Sequence, residues 1–92
     1  MKEIVINNKK YNLIVDEKEG FVQEEVESKM TDYFDSFDVV VGDWAYGKLR
    51  LKGFNEKNNK NFKSINDVSK IETYIKNNCA YGCKWFQMKK KN

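Results

Sequence analysis

The chain has 92 residues, with six Phe, five Tyr, two Trp, no His and no Pro, and a formal net charge of +3. This length suits one small domain spanning residues 1–92 with a core rich in aromatic side chains. Without histidine, Ser-His-Asp and Cys-His nucleophiles, mixed Cys/His zinc sites and an imidazole base are excluded. No apolar run reaches the roughly 18 to 20 residues of a membrane span, and the amino-terminal segment has no signal-peptide core. We therefore expect a soluble, cytoplasmic protein without membrane contact, metal or cofactor.

Charge is divided unevenly along the chain. Residues 1–47 carry five Lys against eleven Asp and Glu, whereas residues 48–92 carry twelve Lys and Arg against three acids. The two halves can pair within the fold, or the second half can form a basic face that attracts a polyanion.

The first elements predicted are a hairpin and a helix. Residues 3–6 and 11–15 alternate or run apolar, and the four polar residues at 7–10 lie between them, which predicts a hairpin of two strands because Asn tolerates the left-handed turn conformation. Residues 21–35 then change to helical spacing, with an apolar stripe four residues apart at Val22, Val26, Met30 and Phe34. The acidic residues of this helix fall largely elsewhere, and we interpret them as a solvated face rather than a metal site.

The middle of the chain predicts two strands around a shaped turn. Residues 39–41 are three valines and indicate a buried strand that Gly42 ends, and residues 43–47 are expected to form a turn or bulge. Residues 48–54 alternate, which places Leu49 and Leu51 on one face and a row of cations on the other: Lys48, Arg50 and Lys52.

The remaining sequence predicts a mobile loop at 55–63, a helix at 66–77, a strand at 83–88 and a frayed basic tail at 88–92. In the last strand, Phe86 and Met88 face the core and Trp85 and Gln87 lie opposite. The fold class is therefore α+β in the order β-β-α-β-β-α-β. We expect a mostly antiparallel sheet with both helices packed on one face.

Two sequence blocks carry a resemblance to a known family. The run VGDWAYGKLRLKGF at 41–54 and the run CAYGCKWF at 79–86 resemble the patterns of the YutD-like family, small proteins of Gram-positive bacteria. The chain departs from that pattern at Ala45, where glycine is expected, and near Ala80, where asparagine is expected. Because the family has no established activity, the resemblance implies a fold and a site but transfers no catalytic residues.

The two cysteines offer little chemistry at this spacing. Cys79 and Cys83 are four residues apart, unlike a Cys-x-x-Cys motif, and no second pair completes a zinc site. Cys79 also follows the end of a predicted helix, where the dipole disfavours a thiolate. We expect both to be buried, inert thiols.

Asp43 and Arg50 are the candidate polar residues of the central segment. With Tyr46 and Lys48 they could form an acid/base set, but no nucleophile accompanies them, so we favour Asp43 bonding backbone amides of the turn. Arg50 is the only arginine beside sixteen lysines. Its forked guanidinium group suits either an internal pair with a carboxylate of the acidic half or a contact with phosphate or a nucleobase.

These residues support three functions in order. The first is a non-catalytic module that binds RNA or another nucleic acid, in which Lys48, Arg50 and Lys52 hold the backbone and an aromatic ring of Trp44, Tyr46 or Trp85 stacks on a base. The second is an adaptor that docks on a partner protein through Trp44 and Tyr46. The third is an enzyme with a Trp44-lined pocket around Asp43.

Overall fold

A computed structural model describes residues 2–79 and 82–91. The strands are β1 (Lys2–Ile6), β2 (Lys9–Glu17), β3 (Val39–Ala45), β4 (Lys48–Phe54) and β5 (Trp85–Lys90), and the helices are α1 (Gln23–Lys29) and α2 (Ile71–Asn78). Short 3-10 helices lie at Asp32–Ser36, Ser64–Asn66 and Val68–Lys70. The α+β class and the element order are confirmed. No helix in the described residues is long and apolar enough to cross a membrane.

One antiparallel sheet carries all five strands, in the order β1-β2-β5-β3-β4. Both hairpins close through two-residue turns with positive φ at each position, at Asn7 and Asn8 and again at Tyr46 and Gly47. This is the type I′ pattern, which matches the twist of the flanking strands. The last strand, β5, lies at the centre of the sheet.

The central place of β5 corrects the prediction of a frayed tail. Lys89 pairs with Val39, and Lys90 pairs with Tyr11, so the backbone of both lysines belongs to the sheet ladder. The sequence also predicts a bend at 80–82 between the second helix and the last strand, and residues 80 and 81 of it lie outside the described residues.

The two helices cover opposite faces of the sheet, so the prediction of both on one face was wrong. On the first face, Val26 of α1 and Phe34 pack with a cluster of strand residues that comprises Ile4, Ile6, Tyr11, Leu13, Val40, Leu49, Phe86 and Met88. On the second face, Ile71 of α2 packs with Val39, Val41 and Phe54. The run of three valines at 39–41 is buried throughout because both sides of the sheet centre are covered.

Gly42 does not end the strand as predicted but lies within β3. The ring of Phe86 on the neighbouring strand occupies the space above it, and a Cβ at this position would lie 2.2 Å from ring atoms. Glycine therefore serves close packing here, and β3 continues to Ala45.

The segment 55–63, predicted to be mobile, is held by a network of amide side chains. Asn59 Nδ2 donates to Asn55 Oδ1 at 3.0 Å and to Asp38 Oδ1 at 3.2 Å, and Asn55 is fully buried. Asp38 Oδ2 in turn accepts from the Glu56 N–H at 2.8 Å. The network fixes the segment beside the end of β4.

Candidate functional site

The β3–β4 hairpin carries the candidate residues at one end of the sheet. Its turn is Tyr46-Gly47, and the two-residue length sets the register that places Asp43 opposite Arg50 and Ala45 opposite Lys48. The Tyr46 side chain is fully exposed and its φ is 54°, a conformation that favours Gly or Asn. No aromatic contact of Tyr46 is formed with the described residues.

Asp43 and Arg50 form an ion pair across the second face of the sheet. Arg50 Nε donates to Asp43 Oδ1 at 3.2 Å, and Arg50 Nη2 donates to Asp43 Oδ2 at 2.5 Å and to the carbonyl of Asn78 at 3.0 Å. The Asp43 side chain is 1% exposed, whereas that of Arg50 is 43% exposed. The hydrogen bond to Asp43 raises the pKa of Arg50.

This pairing decides between the two interpretations of each residue. Asp43 bonds a guanidinium rather than the amides of a turn, so that prediction was wrong. The alternative in which Arg50 pairs with a carboxylate from the acidic half of the chain is confirmed. The pair also ties β3 and β4 to the carboxyl end of α2 through Asn78.

The three predicted cations of β4 share a face but differ in environment. Lys52 Nζ lies 5.4 Å from the ring centroid of Phe54 and 5.8 Å from that of Tyr74, a cation–π arrangement. Lys48 is exposed beside the turn. Since Arg50 is paired with Asp43, the row is not a uniform cationic surface. The acidic helix α1 does not cover it, because α1 packs on the other face.

The two tryptophans lie on opposite faces of the sheet. Trp44 packs against the first-face cluster and donates from Nε1 to the carbonyl of Gly20 at 2.7 Å, with Lys84 Nζ 4.7 Å from its ring centroid. Trp85 lies opposite Asp43 in the register and packs against the second-face cluster. The structure therefore separates Trp44 from the Asp43–Arg50 pair, and the seven predicted residues do not form one site.

A groove that the sequence did not reveal runs along β4, with a volume of about 820 Å³. Four consecutive residues of the strand, 50–53, line it together with side chains from three other segments. These are Tyr33, Ser36 and Phe37 on one side, and Lys60, Asn61, Phe62, Lys63, Ile65, Asn66 and Tyr74 on the other. We call this the β4 groove. Among the described residues, its lining includes four cations and four aromatic rings and no carboxylate. Lys60 and Lys63 belong to the segment predicted as a mobile loop, so only the fold reveals their proximity to Arg50.

The cysteines form a disulfide between Cys79 and Cys83, with their Cα atoms 5.8 Å apart. This distance is ordinary for a disulfide, and the prediction of two inert thiols was wrong. The bond spans the segment between α2 and β5. Among the described residues no three metal-ligating side chains gather into a group.

Comparisons with known proteins agree with the resemblance carried by the two sequence blocks. The family model described as "Putative antitoxin YutD-like" matches residues 5–89. A Bacillus subtilis (strain 168) protein named "Putative antitoxin YutD" is 36% identical over 87 residues, covering 95% of this chain and 96% of its own length.

This chain is also similar to a solution NMR structure of the B. subtilis protein yutD, with 34% sequence identity and a TM-score of 0.81. The match covers 100% of this chain and 84% of the yutD chain. The match extends across both hairpins, both helices and the central β5 strand. The chain belongs to the YutD-like family.

Proposed function

We propose that this protein is a non-catalytic binding protein that docks on a partner protein through the β4 groove. The observation that carries the proposal is the groove itself, in which an edge strand lies between basic and aromatic side chains. Aromatic and arginine side chains are enriched at the cores of protein interfaces. The family description supports a partner as well, because an antitoxin acts on a toxin.

The Asp43–Arg50 pair supports binding rather than catalysis. Both carboxylate oxygens of Asp43 are engaged by Arg50, and the side chain is buried. A general acid or base must reach the proton that it transfers, and Asp43 lies behind its partner. We assign the pair to holding the hairpin against α2.

RNA binding is the second candidate, and the charge of the groove favours it. The described lining of the cavity holds four cations and no acid, namely Arg50, Lys52, Lys60 and Lys63. Tyr33 is 68% exposed and offers a surface for base stacking. It ranks second because Arg50 is already bonded to Asp43 and Lys52 lies over two rings. Two of the three cations first predicted to hold a phosphate backbone therefore have internal partners.

Recovery of the tagged protein from its source cells, with and without nuclease, tests the proposal. The groove variant is Lys60→Glu/Lys63→Glu, which reverses two exposed charges. The matched control is Lys2→Glu/Lys10→Glu, which reverses two exposed charges on β1 and β2 and changes the net charge by the same amount.

We expect a protein partner that survives nuclease, binds the wild type and the control, and is lost with the groove variant. Nucleic acid recovered with the wild type, with no partner left after nuclease, favours the second candidate instead. A partner held equally by all three proteins would show that the β4 groove is not its binding site.

A further inference from the structure

We propose that the Cys79–Cys83 disulfide is a site of thiol–disulfide exchange whose substrate is a small thiol that carries carboxylate groups. The bond lies at the carboxyl end of α2, and both cysteines are half-buried rather than enclosed in the core. Exposed disulfides are the labile ones, because an attacking thiolate can reach a sulfur atom. The two cysteines are separated by only four positions, and a short ring gains less stability from a cross-link than a long one. Exposure and ring size therefore favour exchange chemistry over a purely structural bond.

A pocket of about 510 Å³ opens beside the disulfide, and both cysteines line it. Ile75 and Trp85 contribute apolar surface, and Glu17, Lys18 and Lys76 contribute charge. A cavity of this size falls within the range that small molecules occupy. Its lining shares no residue with the β4 groove, so the pocket is a second and separate site.

The ammonium group of Lys18 lies beside the second cysteine. A Cβ built on Gly82, the residue before Cys83, would lie 3.2 Å from Lys18 Nζ. The φ of Gly82 is 77°, so glycine permits both the turn and the close approach of the lysine. Lys18 forms no ion pair with the described residues. A thiolate released at Cys83 would therefore form next to a positive charge that favours it.

The first cysteine has a less favourable environment for a thiolate. Cys79 follows the last residue of α2, and its N–H donates to the Ile75 carbonyl at 2.9 Å. The carboxyl end of a helix disfavours negative charge, and Glu17 in the pocket adds to this, whereas Lys76 in the last turn offsets part of it. The more stable thiolate is the faster leaving group. Attack should therefore fall on Cys79, with Cys83 as the sulfur that leaves.

The exchange takes place in two steps. The incoming thiol gives its proton to water and attacks Cys79 Sγ as a thiolate, so that a mixed disulfide forms while the Cys79–Cys83 bond breaks and Cys83 leaves as a thiolate. A second thiolate then attacks the sulfur of the bound thiol, which releases a small disulfide and a thiolate at Cys79. The two protons lost by the small thiols return to the two cysteines. Two small thiols are oxidised and one protein disulfide is reduced, and the reverse steps restore the bond.

Charge selects the thiol that enters. Lys18 and Lys76 against Glu17 give the described lining of the pocket a positive excess, and both lysines are exposed at its surface. A positive pocket raises the local concentration of an anionic reactant and lowers that of a cationic one. A thiol with free carboxylates should therefore react faster than a thiol that carries an amine alone.

Reduction of the full-length protein by glutathione and by cysteamine tests this selection. Rates are measured at equal thiolate concentration by alkylating the freed cysteines and weighing the protein by mass spectrometry. The variant is Lys18→Glu, and the matched control is Lys10→Glu, which reverses an exposed charge of β2 outside the pocket. We expect the ratio of the glutathione rate to the cysteamine rate to fall about fivefold or more in Lys18→Glu at low salt, because the reversed charge acts on the two thiols in opposite directions. The ratio should stay within about twofold of the wild type in Lys10→Glu.

Lys18→Gln, which only removes the charge, should give a smaller fall in the same direction, and thermal melting checks that each variant is folded. Acid quenching followed by alkylation and peptide mapping locates the mixed disulfide, which we expect on Cys79. An unchanged ratio in both Lys18 variants, or an equal fall in Lys10→Glu, would overturn the selection of an anionic thiol. A glutathione adduct mainly on Cys83 would overturn the assigned leaving group. If oxidised glutathione does not form the disulfide in the reduced wild type, the exchange site itself is refuted.

Discussion

The Asp43–Arg50 ion pair gives the sharpest prediction for stability. Replacing Arg50 with Ala removes both side-chain hydrogen bonds to the Asp43 carboxylate and also the bond to the Asn78 carbonyl. The carboxylate stays where only 1% of the side chain is exposed. A buried charge is left without compensation, and its desolvation becomes a net cost of folding.

The magnitude follows from the burial of the two partners. Removing one member of a buried pair costs about 3 to 5 kcal/mol. The Arg50 side chain is 43% exposed, so water can enter from its side and the lower end applies. We expect a loss of about 3 kcal/mol, which lowers Tm by roughly 12 °C or more in a domain of this size. The stability of Arg50→Lys should lie between those of the wild type and Arg50→Ala, because an ammonium keeps the charge but cannot reproduce the two-pronged contact.

Urea unfolding followed by tryptophan fluorescence measures the effect, since Trp44 and Trp85 are both half-buried. The control is the double variant Asp43→Val/Arg50→Ala, which removes the buried charge together with its partner. It should be more stable than Arg50→Ala alone by about 1 kcal/mol or more. The reasoning is refuted if Arg50→Ala lies within about 1 kcal/mol of the wild type, or if the double variant is no more stable than Arg50→Ala.

Four further substitutions test other parts of the fold. Gly42→Ala should cost about 3 kcal/mol because its Cβ would meet the ring of Phe86, whereas Gly47→Ala has nothing within 4 Å and should cost only about 1 kcal/mol from its positive φ; thermal melting compares them. Tyr46→Asn should stabilise the hairpin by about 0.5 to 1 kcal/mol because Asn tolerates the turn conformation, and a loss in urea unfolding would contradict this. Tyr11→Phe should change stability near pH 7 by less than about 0.5 kcal/mol, since the buried hydroxyl has no partner in the described part of the chain. Burial raises the pKa of Tyr11 above 10.0, so the wild type loses stability as pH rises past that value and Tyr11→Phe should lose less in a pH series.

The local predictions of which side chains face the core were made from side-chain periodicity. Alternation along β4 placed Leu49 and Leu51 opposite the cations, and alternation along β5 placed Phe86 and Met88 on the first-face core, as the structure has them. These assignments need only the backbone period of two and a buried surface. The position of β5 between β2 and β3 needs contacts between distant segments, which no local pattern encodes.

The helix placement failed for a related reason. Both helices have one apolar stripe, but a stripe does not state which face of the sheet it covers. The relevant sequence feature is at residues 39–41, where three consecutive valines leave no polar side on β3. A strand buried on both faces requires a cover on each, and this observation favours α1 and α2 on opposite sides.

The Asp43–Arg50 pair could have been predicted from the sequence, but our prediction placed the turn too early, at residues 43–47. Reading Tyr46-Gly47 as a two-residue hairpin turn fixes the register and sets Asp43 opposite Arg50. Tyrosine is an unusual residue at positive φ, and Gly42 offered a more obvious break. Gly42 instead makes room for the ring of Phe86, which is a contact between strands that are far apart in the chain.

The division of charge between the two halves is only partly resolved by pairing inside the fold. Arg50–Asp43 and Lys91–Glu3 join the halves, whereas Lys9–Asp35 and Lys89–Glu56 each lie within one half. Lys60 and Lys63 form no ion pair with the described residues, and both line the β4 groove. Exposed cations that lie together on one surface attract an anionic partner and repel a second copy of the same surface. The proposed docking at the β4 groove should therefore weaken as salt concentration rises, because salt screens the exposed Lys60 and Lys63.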